Sequence, residues 1–139
     1  MTRKIRPEPC SSCPYRQDVP SGLWAHHEYE KLRDYDLPTN QQPSEPFGCH
    51  ATPEAYCCGW AVAHTRRGTA GNHPFDLFAL RLAGSFGHWD MVMPDTKTPL
   101  FATGNEAADH GQRDIENPSL EAKVAVARLT RKYPRLEEA

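Results

Sequence analysis

The stretch Phe47-Gly48-Cys49-His50-Ala51-Thr52-Pro53-Glu54-Ala55-Tyr56-Cys57-Cys58-Gly59-Trp60 holds three of the five cysteines, a histidine and three aromatic rings. The remaining cysteines, Cys10 and Cys13, form a C-x-x-C followed by Pro14. Thiolates at that spacing offer a metal two soft ligands from one turn, at about 2.3 Å each. The other half of such a site must come from Cys49, His50, Cys57, Cys58 or His64. If Thr52 opens a helix, Cys57 and His64 stand about 10 Å apart and cannot share an ion, which makes His64 a supporting or core residue. Cys57 and Cys58 point about 100° apart on that helix, so one of them is a ligand, and periodicity does not say which. The set adopted is Cys10, Cys13, Cys49 and Cys57, with His50 and Cys58 as alternative ligands. The segment between Cys49 and Cys57 folds back at Thr52-Pro53. Tyr15, Arg16, Phe47, Trp60 and His64 are expected around the centre.

Outward from this stretch, 139 residues suit one domain, 1–139, whose first 20 residues are an irregular segment carrying the C-x-x-C. Apolar residues make up only 38% and thirteen prolines divide the chain, so the core is lean and a metal staple or partner surface is expected. Sixteen basic against eighteen acidic side chains give a net charge of −2, which argues against a broad nucleic-acid footprint. No apolar run approaches the roughly 18 residues that span a bilayer, and no hydrophobic stretch follows the first residues as a signal peptide would. A cytoplasmic location is therefore expected, where an odd number of cysteines reads as ligands rather than disulfides. No βαβ pattern surrounds the C-x-x-C, which disfavours a redox dithiol.

Local signals predict a mainly α fold of about five short helices joined by long loops. Ser21 is the expected cap of a first helix over about 22–34, with Trp24, His27, Tyr29, Leu32 and Tyr35 as its apolar surface. Residues 36–46 read as a polar loop. Thr52-Pro53-Glu54 reads as the start of a second helix running to about Arg67, with Arg66 and Arg67 at its C-terminal end and Gly68 beyond. A third, from near Pro74 to Gly84, carries Phe75, Leu77, Phe78, Leu80 and Leu82 and is the expected centre of the core. Residues 85–102 read as an extended piece. Thr103 and Glu106 form a capping box for a helix ending at Gly111. The last helix is expected from Asn117-Pro118 to about Tyr133, ended by Pro134, with Leu120, Val124 and Ala127 beside Ala122, Val126 and Leu129.

Zinc is the leading metal, because it is the commonest guest of four cysteines. A [4Fe-4S] cluster is the alternative: it tolerates irregular spacing, and a proline after a ligand cysteine is familiar from such proteins. The pieces Cys10-Ser11-Ser12-Cys13-Pro14-Tyr15-Arg16, Asp18-Val19-Pro20-Ser21-Gly22-Leu23-Trp24, Phe47-Gly48-Cys49-His50, Cys57-Cys58-Gly59-Trp60 and Pro99-Leu100-Phe101-Ala102 together resemble small proteins of actinobacteria and their phages, a domain of unknown function. The resemblance covers roughly residues 8–116. It implies that Cys57 is the family cysteine and that Cys58 stands where a small residue is usual.

Function is then expected to be that of a structural zinc module binding a protein or nucleic-acid partner. The alternative is an iron–sulfur redox or sensor protein with regulatory use. A zinc hydrolase using Glu54, Asp90 or Asp109 as base ranks last, since four cysteines close a site that catalysis leaves open, and no complete catalytic motif is present. Two basic clusters, Arg3, Lys4 and Arg6 near the start and Arg128, Arg131, Lys132 and Arg135 near the end, read as solvated surface charge.

Overall fold

The computed structural model, which describes residues 2–52, 54–65 and 77–132, makes a hairpin of 47–57 where the sequence suggests a helix start. Cys49 N–H donates to the Ala55 carbonyl at 2.9 Å, Cys57 N–H to the Phe47 carbonyl at 2.8 Å, and Ala55 N–H closes the turn on the Thr52 carbonyl. Gly48 and Tyr56 thus pair antiparallel, and Ile5 pairs with Tyr56 in parallel on the other side. Arg3 in turn pairs with Trp89. The irregular N-terminal segment is therefore laid between two stretches distant in sequence. Its backbone groups find partners there that proline-broken coil cannot supply internally.

The second helix begins later than Thr52-Pro53 suggests. Tyr56 N–H goes to Lys4 and Cys57 N–H to Phe47, so neither residue has begun a helix. α2 runs Cys58–Thr65, and Cys57 is its cap. The Cys57 carbonyl accepts from Ala61 N–H at 3.1 Å, and its sulfur accepts from Trp60 N–H at 3.4 Å. The expected continuation through Arg66 and Arg67, and Pro53 itself, lie outside the described residues.

Every residue of α2 is buried, Trp60 completely so. This helix is buried all round, whereas the described part of the helix that looks most apolar is buried on one side, where Leu77 and Leu80 are fully enclosed. That helix, α3 (Phe78–Ser85), buries Ala79, Leu80 and Ala83 and leaves Phe78 and Leu82 half-buried. Its expected start, Pro74 and Phe75, lies outside the described residues.

α1 is shorter than expected, His26–Arg33, continued by a 3₁₀ turn Asp34–Asp36. Ser21 does not cap it. Its hydroxyl donates to the Gly111 carbonyl at 3.0 Å and accepts Asp114 N–H at 2.9 Å, tying the 21–25 turn to another helix. Leu23 and Trp24 N–H groups both donate to the Tyr29 hydroxyl at 3.1 Å, which holds them out of helical geometry. His27 is exposed, contrary to its expected place on the apolar surface.

The partner of α1 is α4 (Gly104–Arg113), capped by the Thr103 hydroxyl accepting from Glu106 N–H at 3.1 Å. α4 passes Gly111 and ends at Arg113, because Gly111 serves contact rather than termination. A Cβ there would lie 2.1 Å from the Tyr29 ring, and one at Gly104 would lie 1.9 Å from the Leu32 carbonyl oxygen. Asp36 adds a second cap to α4, accepting Gly104 N–H at 2.8 Å and Asn105 N–H at 2.7 Å.

α5 spans Leu120–Lys132 and starts later than Asn117-Pro118, with the Ser119 hydroxyl accepting from Ala122 N–H at 3.1 Å. Ala122 is buried and Ala125, Val126 and Leu129 pack on the core, while Leu120, Val124 and Ala127 face outward. Tyr133 and Pro134 lie outside the described residues. The described residues are mainly helical, with five α-helices, isolated bridge pairs and no strand; the extended reading of 85–102 survives only in the pairings of Trp89 and Leu100. None of these helices is long and apolar enough to cross a membrane.

Candidate metal centre

The turn at Cys10–Cys13, closed by Cys13 N–H on the Cys10 carbonyl at 3.1 Å, delivers two sulfurs toward the hairpin and the start of α2. Gly59 is the seat that makes this approach feasible. A Cβ at Gly59 would lie 2.4 Å from the Cys13 sulfur and 2.8 Å from Tyr15 Cβ. All four sulfurs of the adopted set are buried.

They are arranged as two pairs. Cys13 Sγ and Cys57 Sγ stand 3.8 Å apart, and Cys10 and Cys49 shift one another's titration in opposite directions. The neighbouring Cys10 thiol holds Cys49 down at about 5, helped by Thr52 and Ala51 N–H groups and the Arg6 charge. The bond from Cys57 lowers Cys13, again with two backbone donors, Tyr15 and Gly59. Their partners move the other way. Cys10 is raised by the neighbouring Cys49 and by burial, and Cys57 by its bond to Cys13 and by burial. In each pair the sulfur that is lowered is the one that collects more N–H groups. The pairs also feel one another, since Cys49 acts on Cys13 and Cys10 on Cys57 through charge.

Held pairwise in this way, the sulfurs do not form a ready cage: among the described residues no three His, Cys, Asp or Glu side chains stand as a metal-holding group. The expected metal staple therefore has no place in the description of the fold. Cys58 is turned elsewhere. Its thiol donates to the Pro7 carbonyl at 3.8 Å, and burial pushes it up to about 12.

His50 also faces away from the sulfurs. Its Nε2 meets Glu28 Oε2 at 3.1 Å and its ring stacks on Trp24, with centroids 4.3 Å apart. The His50 contact, with Lys31 behind it, holds Glu28 down at about 2. His64, in the last turn of α2, bonds through Nε2 to the Tyr15 hydroxyl at 2.7 Å, with Nδ1 3.5 Å from Asp36. Burial holds its pKa down at about 4, against the pull of Asp36. Tyr15 is completely buried beside Cys13, and Trp60 packs edge-on to Tyr35. Phe47 supplies the carbonyl that fixes Cys57. Arg16 reaches the Cys10 carbonyl at 3.4 Å while its charge is held by Asp18 at 2.7 Å.

Sequence reasoning overlooked three participants. Arg6 was read as solvated, yet it acts on Cys49 and donates to the Thr52 hydroxyl at 2.9 Å. Gly59 was a motif letter rather than a seat, although a glycine beside paired cysteines is itself a sign of close approach. Asp36 carried no local signal, since both its partners are remote in sequence.

What the described residues define is a mainly helical protein with four buried cysteines on the N-terminal turn, the hairpin and the start of α2. The chain belongs to the family of unknown function DUF6283, whose family model matches residues 5–128, a span that includes all five cysteines. No curated protein and no solved structure matches it.

Proposed function

We propose that Cys10, Cys13, Cys49 and Cys57 hold one zinc ion, and that the protein is a zinc-stapled cytoplasmic module presenting its surface to a protein or nucleic-acid partner. The observation that carries this reading is the 3.8 Å separation of the Cys13 and Cys57 sulfurs. Two thiolates on one tetrahedral zinc at about 2.3 Å stand about 3.8 Å apart. The donor set fits in chemistry too, because backbone N–H groups already point at each sulfur and favour the thiolate form that a metal requires. Zinc would supply cross-linking of the N-terminal turn to the hairpin and α2, a restraint that a lean core lacks.

A [4Fe-4S] cluster is the second reading, favoured by the burial of Tyr15, Phe47 and Trp60 in one core with the cysteines. The likeness of the cysteine motifs to proteins of actinobacteria and their phages belongs to the same proposal. A hydrolytic role has less support, as four cysteine ligands close a zinc site that catalysis keeps open.

Elemental analysis and an absorbance spectrum of untagged, anaerobically purified protein test the reading. One equivalent of zinc and no visible band are expected; a broad visible band bleached by air replaces zinc with the cluster. Cys57→Ser is expected to strip the metal and abolish cooperative melting, whereas Cys58→Ser retains it. Full metal retention in Cys57→Ser would overturn the ligand set.

A further inference from the structure

Beside the cysteines runs a groove of about 540 Å³, a size suited to a small molecule. Two arginines line it, Arg6 from the first basic cluster of the sequence and Arg128 from the last. The sequence read both as solvated charge; the fold places them on one cavity. Among the described residues no carboxylate lines it. The Arg6 guanidinium donates to the Glu8 carbonyl and the Thr52 hydroxyl, and among the described residues neither guanidinium has an acidic partner. In a chain with more acidic than basic side chains, two such cations on one cavity form a positive site that no carboxylate among the described residues pairs with.

The rest of the lining fits the same guest. Ser11, Ser12 and Thr52 add polar groups beside the arginines, and Leu23 and Leu129 supply an apolar wall. Guanidinium forks match the paired oxygens of a phosphate or carboxylate. An apolar wall in the same groove selects a ligand with a hydrocarbon or aromatic body.

We propose that this groove binds a small organic oxyanion, its charged head between Arg6 and Arg128 and its apolar body against Leu23 and Leu129. Such a ligand joins α5 to the C-x-x-C turn and covers Cys10, the one sulfur that lines the groove. The site stands on charge and shape alone and does not depend on the zinc reading.

Calorimetric titration of the full chain with phenyl phosphate, benzoate and benzyl alcohol tests it, with metal content measured on the same samples. Saturable binding of phenyl phosphate or benzoate is expected, the tighter of the two naming the head group, and none of benzyl alcohol. Arg128→Gln, on an exposed helix face, should weaken binding about tenfold to a hundredfold, as should Arg6→Gln, while Arg113→Gln leaves it unchanged. Failure of both anions to saturate in the millimolar range overturns the inference, as does undiminished binding by Arg128→Gln or equal binding of the neutral alcohol. Displacement of phenyl phosphate by a short mixed-sequence oligonucleotide at lower concentration overturns the small-molecule assignment. Anion binding by protein that carries no metal leaves this inference standing and removes the zinc reading.

Discussion

Two regions of this molecule solve the problem of close approach with the same residue and different chemistry. In the α1–α4 pair, Gly104 and Gly111 let one helix press on the other's Leu32 carbonyl and Tyr29 ring. In the cysteine region, Gly59 lets α2 press on the Cys13 sulfur and Tyr15. The helix pair is sealed by caps and packing. The cysteine region is sealed by backbone bonds among the N-terminal segment, the hairpin and α2, with polarised sulfurs at the middle. The lesson is that local periodicity governs the first region, while long-range pairing governs the second. Asp36 joins them, capping α4 and facing His64 of α2.

The most severe way to separate the regions is Gly59→Ala. Its methyl would overlap the Cys13 sulfur and Tyr15, at a cost of about 3 kcal/mol that helix propensity does not recover. Melting by circular dichroism should show the loss, and thiol titration should show the cysteines newly reactive. Unchanged thiol protection would mean that the C-x-x-C turn does not depend on this seat.

Acid should strike the cysteine region first, through His64. Its folded-state value, about 4, lies below the value near 6.5 of an unfolded histidine. The unfolded chain therefore binds the extra proton, so this contribution is whole above pH 6.5 and is lost as the pH falls toward 4. The loss is at most about 3 kcal/mol. Denaturant melts at pH 7 and pH 4.5 measure it, and His64→Gln should flatten the dependence in that window.

Gly111→Ala attacks the helix pair instead. Overlap with Tyr29, offset in part by the better helix propensity of alanine, leaves about 2 kcal/mol of destabilisation. Here the thiols should stay protected in the folded state, in contrast to Gly59→Ala. Asp36→Ala has the smallest expected effect, about 1–2 kcal/mol, because Thr103 still caps α4 when the carboxylate is gone. Removing that carboxylate also removes the one charge that supports protonated His64, so the acid loss should grow. A smaller acid loss in Asp36→Ala would break the proposed link between the regions.

The helices with local stop and start signals were legible. The Thr103 cap opens α4 as its capping box suggests, because the interaction lies within four residues. Ser21 was misread for the opposite reason: a serine before an apolar run looks like a cap until Gly111 and Asp114, some 90 residues away, take its hydroxyl. Thr52-Pro53 was misread likewise, since Lys4 and Phe47 claim the N–H groups that a helix would need.

By itself the sequence determined the mainly helical character and the presence of two cysteine clusters, since composition, spacing and nearest-neighbour bonding are properties of short segments. The tertiary structure alone decided which sulfurs face one another, that Cys58 turns to Pro7, and that Arg6 and Arg128 share a groove. Those outcomes depend on which distant backbone groups and side chains meet, and no short window of residues contains both partners.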